Sequence, residues 1–176
     1  MAPSKRVRLA IIVMGIFGYC AQVPGADVVT LAVFGRITAL PCEVASDSLA
    51  RSVDLGNGAR IIKSALQGAG SATPWVRFDV NVINCPPGTR LATITFSGNP
   101  DPSHPEDMYQ NNGTASRVAV QLTGTGGEKF GNGRRFTGTI HNNRYSYHLQ
   151  ARLFSAQGQT TSGTVNSTVT ISFTWQ

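Results

Sequence analysis

"TVTISFTWQ", residues 168–176, sets Val169, Ile171, Phe173 and Trp175 on one side of an extended chain and Thr170, Ser172 and Thr174 on the other. Strict alternation is the period of a strand with one face in a core and the other in water. Taken as running from Val165 to Trp175, the strand stops where the sequence stops, so the expectation is of a sandwich that lacks its closing strand. Such an edge offers unpaired amides and carbonyls to other strands and has to be covered. Covering about five apolar side chains there would contribute on the order of 10 kcal/mol, at about 1.5–3 each.

Working upstream, the same period recurs in short segments. "WVRFDVNVI" (75–83) alternates Val76, Phe78, Val80 and Val82 with Arg77, Asp79 and Asn81. "LATITFS" (91–97) puts Ala92, Ile94 and Phe96 on one face, and "RVAVQLT" (117–123) presents Val118, Val120 and Leu122. "YSYHLQARLF" (145–154) is a further strand, and "ARIIKSALQ" (59–67) is the one candidate helical turn. Between them lie turn-rich stretches such as "CPPGT", "SGNPDPSHPED" and "GTGGEKFGNGRR", the last read as a mobile hairpin loop. Short strands at this spacing predict an all-β, immunoglobulin-like antiparallel sandwich in one domain, without repeats or a linker. Only 14% of residues are charged and 19 of the 176 are Gly, which also favours strands and turns over a helical bundle.

The first 25 residues read differently. "MAPSKRVR" is basic, "LAIIVMGIF" is apolar, and "GYCAQVPG" is a loose exit, which together describe a secretory signal peptide. The apolar run is too short to span a bilayer. Cleavage after Gly25 leaves Val23 and Gly25 at the small-residue positions, with Ala26 as the neighbouring choice. Bulky Tyr19 argues against a lipoprotein signal at Cys20. Loss of Lys5, Arg6 and Arg8 lowers the net charge from +6 to +3, and the remaining basic residues are scattered, so no nucleic-acid partner is implied. Cys20 leaves with the signal. Cys42 and Cys85 remain as an even pair in an exported chain, which predicts one disulfide.

Catalytic chemistry is not legible. His104, His141 and His148 lack metal-ligand spacing, no nucleophile elbow is present, and the glycine-rich loop precedes no helix. No metal, cofactor or enzymatic activity is expected. Asp101, Glu106 and Asp107 gather in one loop, either as a solvated surface or as a weak cation site. "NGT" at Asn112 and "NST" at Asn166 match the glycosylation tripeptide.

The remaining unassigned segment is "VVTLAVFGRITAL" (28–40). It carries Val29, Leu31, Val33 and Ile37 at odd positions, with Gly35 where a backbone can approach a crowded groove. The pattern fits two arrangements. One is an ordinary first strand folded onto its own domain. The other is a projecting strand that adds to another molecule's sheet, a head-to-tail contact that builds filaments.

Taken together, the mature chain resembles a chaperone–usher fimbrial subunit, similar above all to the minor, adaptor-type subunits of type 1 pili. The residues that carry the resemblance are "ADVVTLAVFGRITALPCEV", "VDLGN" (53–57), "VNVINCPPGT", "ATITFSG", "GTASRVAVQL" (113–122), "LQARLFS" (149–155) and the terminal strand. The resemblance implies a pilin domain over 41–176 that is completed by donor-strand exchange, with 26–40 as the donor extension and 1–25 as the signal. It makes Val29, Leu31, Val33, Gly35 and Ile37 the donor residues. Val169, Ile171, Phe173 and Trp175 then border the acceptor groove, and Gln176 supplies the carboxylate that a chaperone anchors. Cys42 and Cys85 match the family's disulfide. The implied partners are neighbouring pilus subunits, a periplasmic chaperone and an outer-membrane usher, and the implied route runs through the periplasm to the cell-surface fimbrium. Two positions depart from the family pattern: Trp175 stands where Tyr is usual, and Phe34 stands where a polar residue is common. The competing readings are a major rod subunit and a free-standing secreted β-sandwich that binds carbohydrate through Trp75, Tyr109, Tyr145 and Tyr147.

Overall fold

Alternating segments become strands where a second strand takes up their amides, and residues 41–176, described here from a computed structural model, pair into two sheets. The strands are β1 (Glu43–Val44), β2 (Ser71–Ala72), β3 (Val76–Ile83), β4 (Leu91–Gly98), β5 (Met108–Gln110), β6 (Ala119–Gly124), β7 (Arg135–Thr139), β8 (Tyr145–Ser155) and β9 (Val169–Trp175). The larger sheet runs β1-β3-β8-β6-β5, with β2 also on β8, and the smaller runs β7-β4-β9; every pairing is antiparallel. The expected all-β sandwich is therefore present. A short 3-10 turn, Lys63–Leu66, falls inside the segment read as a helical turn and buries Leu66.

The core lies between the sheets. From the small sheet, Ala92, Ile94 and Phe96 are fully buried; from the large sheet, Val80, Val82, Tyr147, Leu149 and Leu122 meet them. Phe96 stacks on Phe130, with ring centroids 4.6 Å apart. A satellite cluster of Leu66, Ala115, Val118 and Leu153 fills the far end, and Leu55 packs against both clusters.

Three expectations change in detail. The terminal strand, expected from Val165, begins at Val169. Residues 161–166 are tied elsewhere: Ala115 N donates to Thr164 O at 3.0 Å, Asn112 N to Asn166 O at 2.7 Å, and Thr164 N to Thr114 Oγ1 at 2.9 Å. The glycine-rich loop expected to be mobile is anchored, because Phe130 within it is only 3% exposed and Gly131 N donates to Glu106 O at 2.8 Å. Strand β7 was not expected. It is followed by a tight turn in which Asn142 and Asn143 take φ of 51° and 60°, a left-handed pair that asparagine tolerates. That turn carries the chain from the small sheet into β8 of the large one.

Candidate functional site

The site is built on β9. Its seven residues pair with β4 in one unbroken register, from Ala92 opposite Trp175 to Gly98 opposite Val169. Because a strand's side chains alternate faces, this register puts Val169, Ile171, Phe173 and Trp175 on the same face as Phe96, Ile94 and Ala92. The two rows differ in burial. The β4 row is sealed, whereas every member of the β9 row is half-buried while still packing against the core. Phe173 and Trp175 stack with nearly parallel rings, their centroids 5.5 Å apart, and the Phe173 centroid lies 6.4 Å from that of Tyr147.

Strand β9 has one hydrogen-bonding neighbour among the described residues, β4. Its opposite edge presents backbone amides and carbonyls at alternate residues that no described residue engages. A half-buried apolar row beside an unpaired strand edge can accept one more extended segment, with main-chain bonds along the edge and side chains on the row. The end of the strand is fastened: Gln176 O accepts from Arg90 N at 2.6 Å and Leu91 N at 2.8 Å, and Gln176 N donates to Leu91 O at 2.9 Å.

Cys42 and Cys85 form the expected disulfide, joining the segment before β1 to the end of β3. Nearby, "VDLGN" makes a tight turn in which both Asp54 carboxylate oxygens accept backbone N–H groups, from Gly56 at 2.9 Å and Gly58 at 2.8 Å. These bonds, led by the one from Gly58, hold the Asp54 carboxyl below its ordinary range. The residues expected to act as donors, Val29, Leu31, Val33, Gly35 and Ile37, lie outside the described residues, as does the expected signal segment.

The other candidates disperse. Asp107 is buried and accepts from Gln121 Nε2 at 2.8 Å, Glu106 pairs with Lys129 at 3.1 Å, and Asp101 Oδ1 caps the backbone of Ser103 and His104. The three carboxylates therefore point to separate tasks, and among the described residues no group of three potential ligands assembles. Of the aromatics considered as sugar contacts, Tyr109 and Tyr147 belong to the core. Their hydroxyls donate to Phe130 O at 2.8 Å and to Ala92 O at 2.7 Å. Trp75 lies under the Arg152 guanidinium at 4.1 Å, and Arg152 Nε donates to Gln121 Oε1 at 2.7 Å. Sequence reasoning missed Phe130 as a core residue. The available signal was a lone aromatic ring amid glycines in "EKFGNG".

Comparison with known proteins agrees with this architecture. The family described as Fimbrial protein matches residues 31–176. Protein FimG of Escherichia coli strain K12 is 32% identical over 157 residues, covering 88% of this chain and 89% of FimG. The S-fimbrial adhesin protein SfaS of E. coli strain 536 is 28% identical over 172 residues, covering 97% and 99%. Among solved structures, the P pilus rod subunit PapA superposes with a TM-score of 0.64 at 22% identity, over 78% of this chain and all of PapA, a likeness of fold. With a family match across most of its length and a pilin-type sandwich, the chain belongs to the fimbrial protein family, as a subunit of the chaperone–usher class.

Proposed function

We propose that this chain is an adaptor-type minor subunit of an adhesive pilus and polymerises by donor-strand exchange. The observation that carries the reading is the contrast along one register: Ala92, Ile94 and Phe96 sealed, Phe173, Ile171 and Trp175 half-covered, and a free edge beyond them among the described residues. An inserted strand from a neighbouring subunit would complete the sheet and cover that row. In turn, residues 26–40 would serve as this subunit's own donor, with Val29, Leu31, Val33 and Ile37 as its inserting side chains and Gly35 at the closest approach. Before assembly a periplasmic chaperone holds the same edge and the terminal carboxylate, and an outer-membrane usher orders the additions. The leader over 1–25 directs export. The short extension, similar to the adaptor type, favours a minor subunit over a rod subunit.

Deleting residues 27–37 tests the reading. The shortened chain is expected to co-purify with its chaperone and to be missing from fibres as a donor; normal incorporation overturns the role. Quantifying subunits in sheared pili separates the two subunit types. A small share relative to the rod protein is expected, and a majority share makes this chain the rod subunit.

A further inference from the structure

In the small sheet β9 is one edge and β7 the other, and it is at β7, where the chain turns into β8, that a second site lies. The rings of Phe130, Phe136, Tyr145 and Tyr147 line a cavity of about 130 Å³. Neighbouring rings meet at steep angles: Phe130 and Phe136 at 70° with centroids 5.7 Å apart, Phe136 and Tyr147 at 75° and 6.2 Å, Tyr145 and Tyr147 at 74° and 4.7 Å. They therefore form walls of a box rather than one flat stack. Tyr147 is held in place by its bond to Ala92 O, and the Tyr145 ring lies against Gly138, which leaves no room there for a Cβ.

The glycine-rich loop supplies the remaining side. Glu128 belongs to the cavity lining, and its carboxylate folds back over Gly124 and Gly126, at both of which a Cβ would collide with it. Among the described residues no hydrogen bond or ion pair reaches this carboxylate, and the adjacent Lys129 is committed to Glu106. Burial, and secondarily the charge of Glu128, raise the Tyr145 phenol, so the carboxylate and the rings share one electrostatic environment. Ring faces carry negative quadrupole potential and attract cations, most strongly where water is excluded. Aromatic walls with one carboxylate suit an alkylated cation better than a hydrated metal ion, which needs several oxygen ligands.

We propose that this cavity binds an alkylammonium group, with Glu128 as the counter-charge and Phe136, Tyr145 and Tyr147 as its walls. The group could be presented as a quaternary head of the choline type or as the primary amine of a lysine side chain. Because the cavity sits on the β7 side, a bound cation leaves the β9 edge free for subunit assembly.

The test is to titrate the purified chain with choline, with n-butylammonium and with 3,3-dimethylbutanol, the uncharged carbon isostere of choline, at constant ionic strength. The backbone amides of Gly124–Phe130 and Tyr145 are followed by NMR. Saturable shifts with a cation and none with the isostere are expected, and Glu128→Gln should weaken binding about tenfold while leaving the remaining spectrum unchanged. Tighter binding of choline assigns a quaternary head group; tighter binding of butylammonium assigns a lysine side chain. Equal shifts from the isostere, no saturation with either cation, or an unaltered Glu128→Gln affinity overturns the site. Failure here leaves the polymerisation reading intact, since that rests on fibre incorporation.

Discussion

The Tyr147 hydroxyl crosses the sandwich to donate to the Ala92 carbonyl at 2.7 Å, joining the central strand of the large sheet to the central strand of the small one. Both residues are almost completely buried, so water does not compete for the bond. Tyr147→Phe keeps the ring and its packing but removes the donor. A loss of about 1–2 kcal/mol is expected in chemical denaturation, with an unchanged denaturant slope.

Burial also raises the phenols of Tyr147 and Tyr109 far above their ordinary value of 10.0. A raised folded-state value means that the folded chain keeps its proton where the unfolded chain loses it. Stability from these groups is therefore complete below about pH 10 and declines as pH rises beyond it. Alkaline titration followed by phenolate absorbance should show Tyr109 and Tyr147 ionising together with loss of near-ultraviolet dichroism. Phenolate formation at both residues while the fold persists would contradict their burial.

The disulfide closes a separation of 43 residues between two buried cysteines. In the chain-entropy account a loop of this size stabilises by about 3–4 kcal/mol through the unfolded state. Replacing both cysteines with serine should lower the denaturation midpoint accordingly, and a reductant should have no further effect on that variant.

Phe130 and Trp175 are both large apolar residues, but their surroundings differ. Phe130 is sealed against Phe96, so Phe130→Ala should cost about 3–5 kcal/mol. Trp175 is half-buried on the open edge, so Trp175→Ala should cost roughly half as much in the lone chain. On the donor-strand reading the second cost grows once a peptide spanning residues 27–40 is bound. Thermal melts with and without that peptide compare the two.

Gly113 lies against the Thr164 carbonyl so closely that a Cβ would collide with backbone. Gly113→Ala should push apart the two segments that clamp the approach to β9, costing about 1–3 kcal/mol. Hydrogen exchange of the amides of Val169–Ser172 should accelerate in this variant ahead of the rest of the molecule.

Much of the architecture was legible in the chain because alternation is a local property. The segments around Phe78 and Ile94 carry their inward face in their own residue order, and so does the row Val169, Ile171, Phe173 and Trp175. The pairing of Cys42 with Cys85 followed from cysteine number and export. The half-buried apolar row on β9 could be named in advance for the same local reason. What could not be read were features made by contacts between distant segments. Thr114 and Thr164 reach across 50 residues to delay β9. Phe130 enters the core by stacking on Phe96, a residue of a different segment.

The amino-acid order thus settles which side chains face inward along the alternating strands β3, β4 and β9, since that depends only on neighbours two residues apart. Which strands lie side by side, where β9 starts, and how four aromatic rings and Glu128 come to enclose one cavity depend on the closure of long loops around a shared core. Those arrangements exist only when remote segments compete for the same buried space, and no local pattern encodes the outcome of that competition.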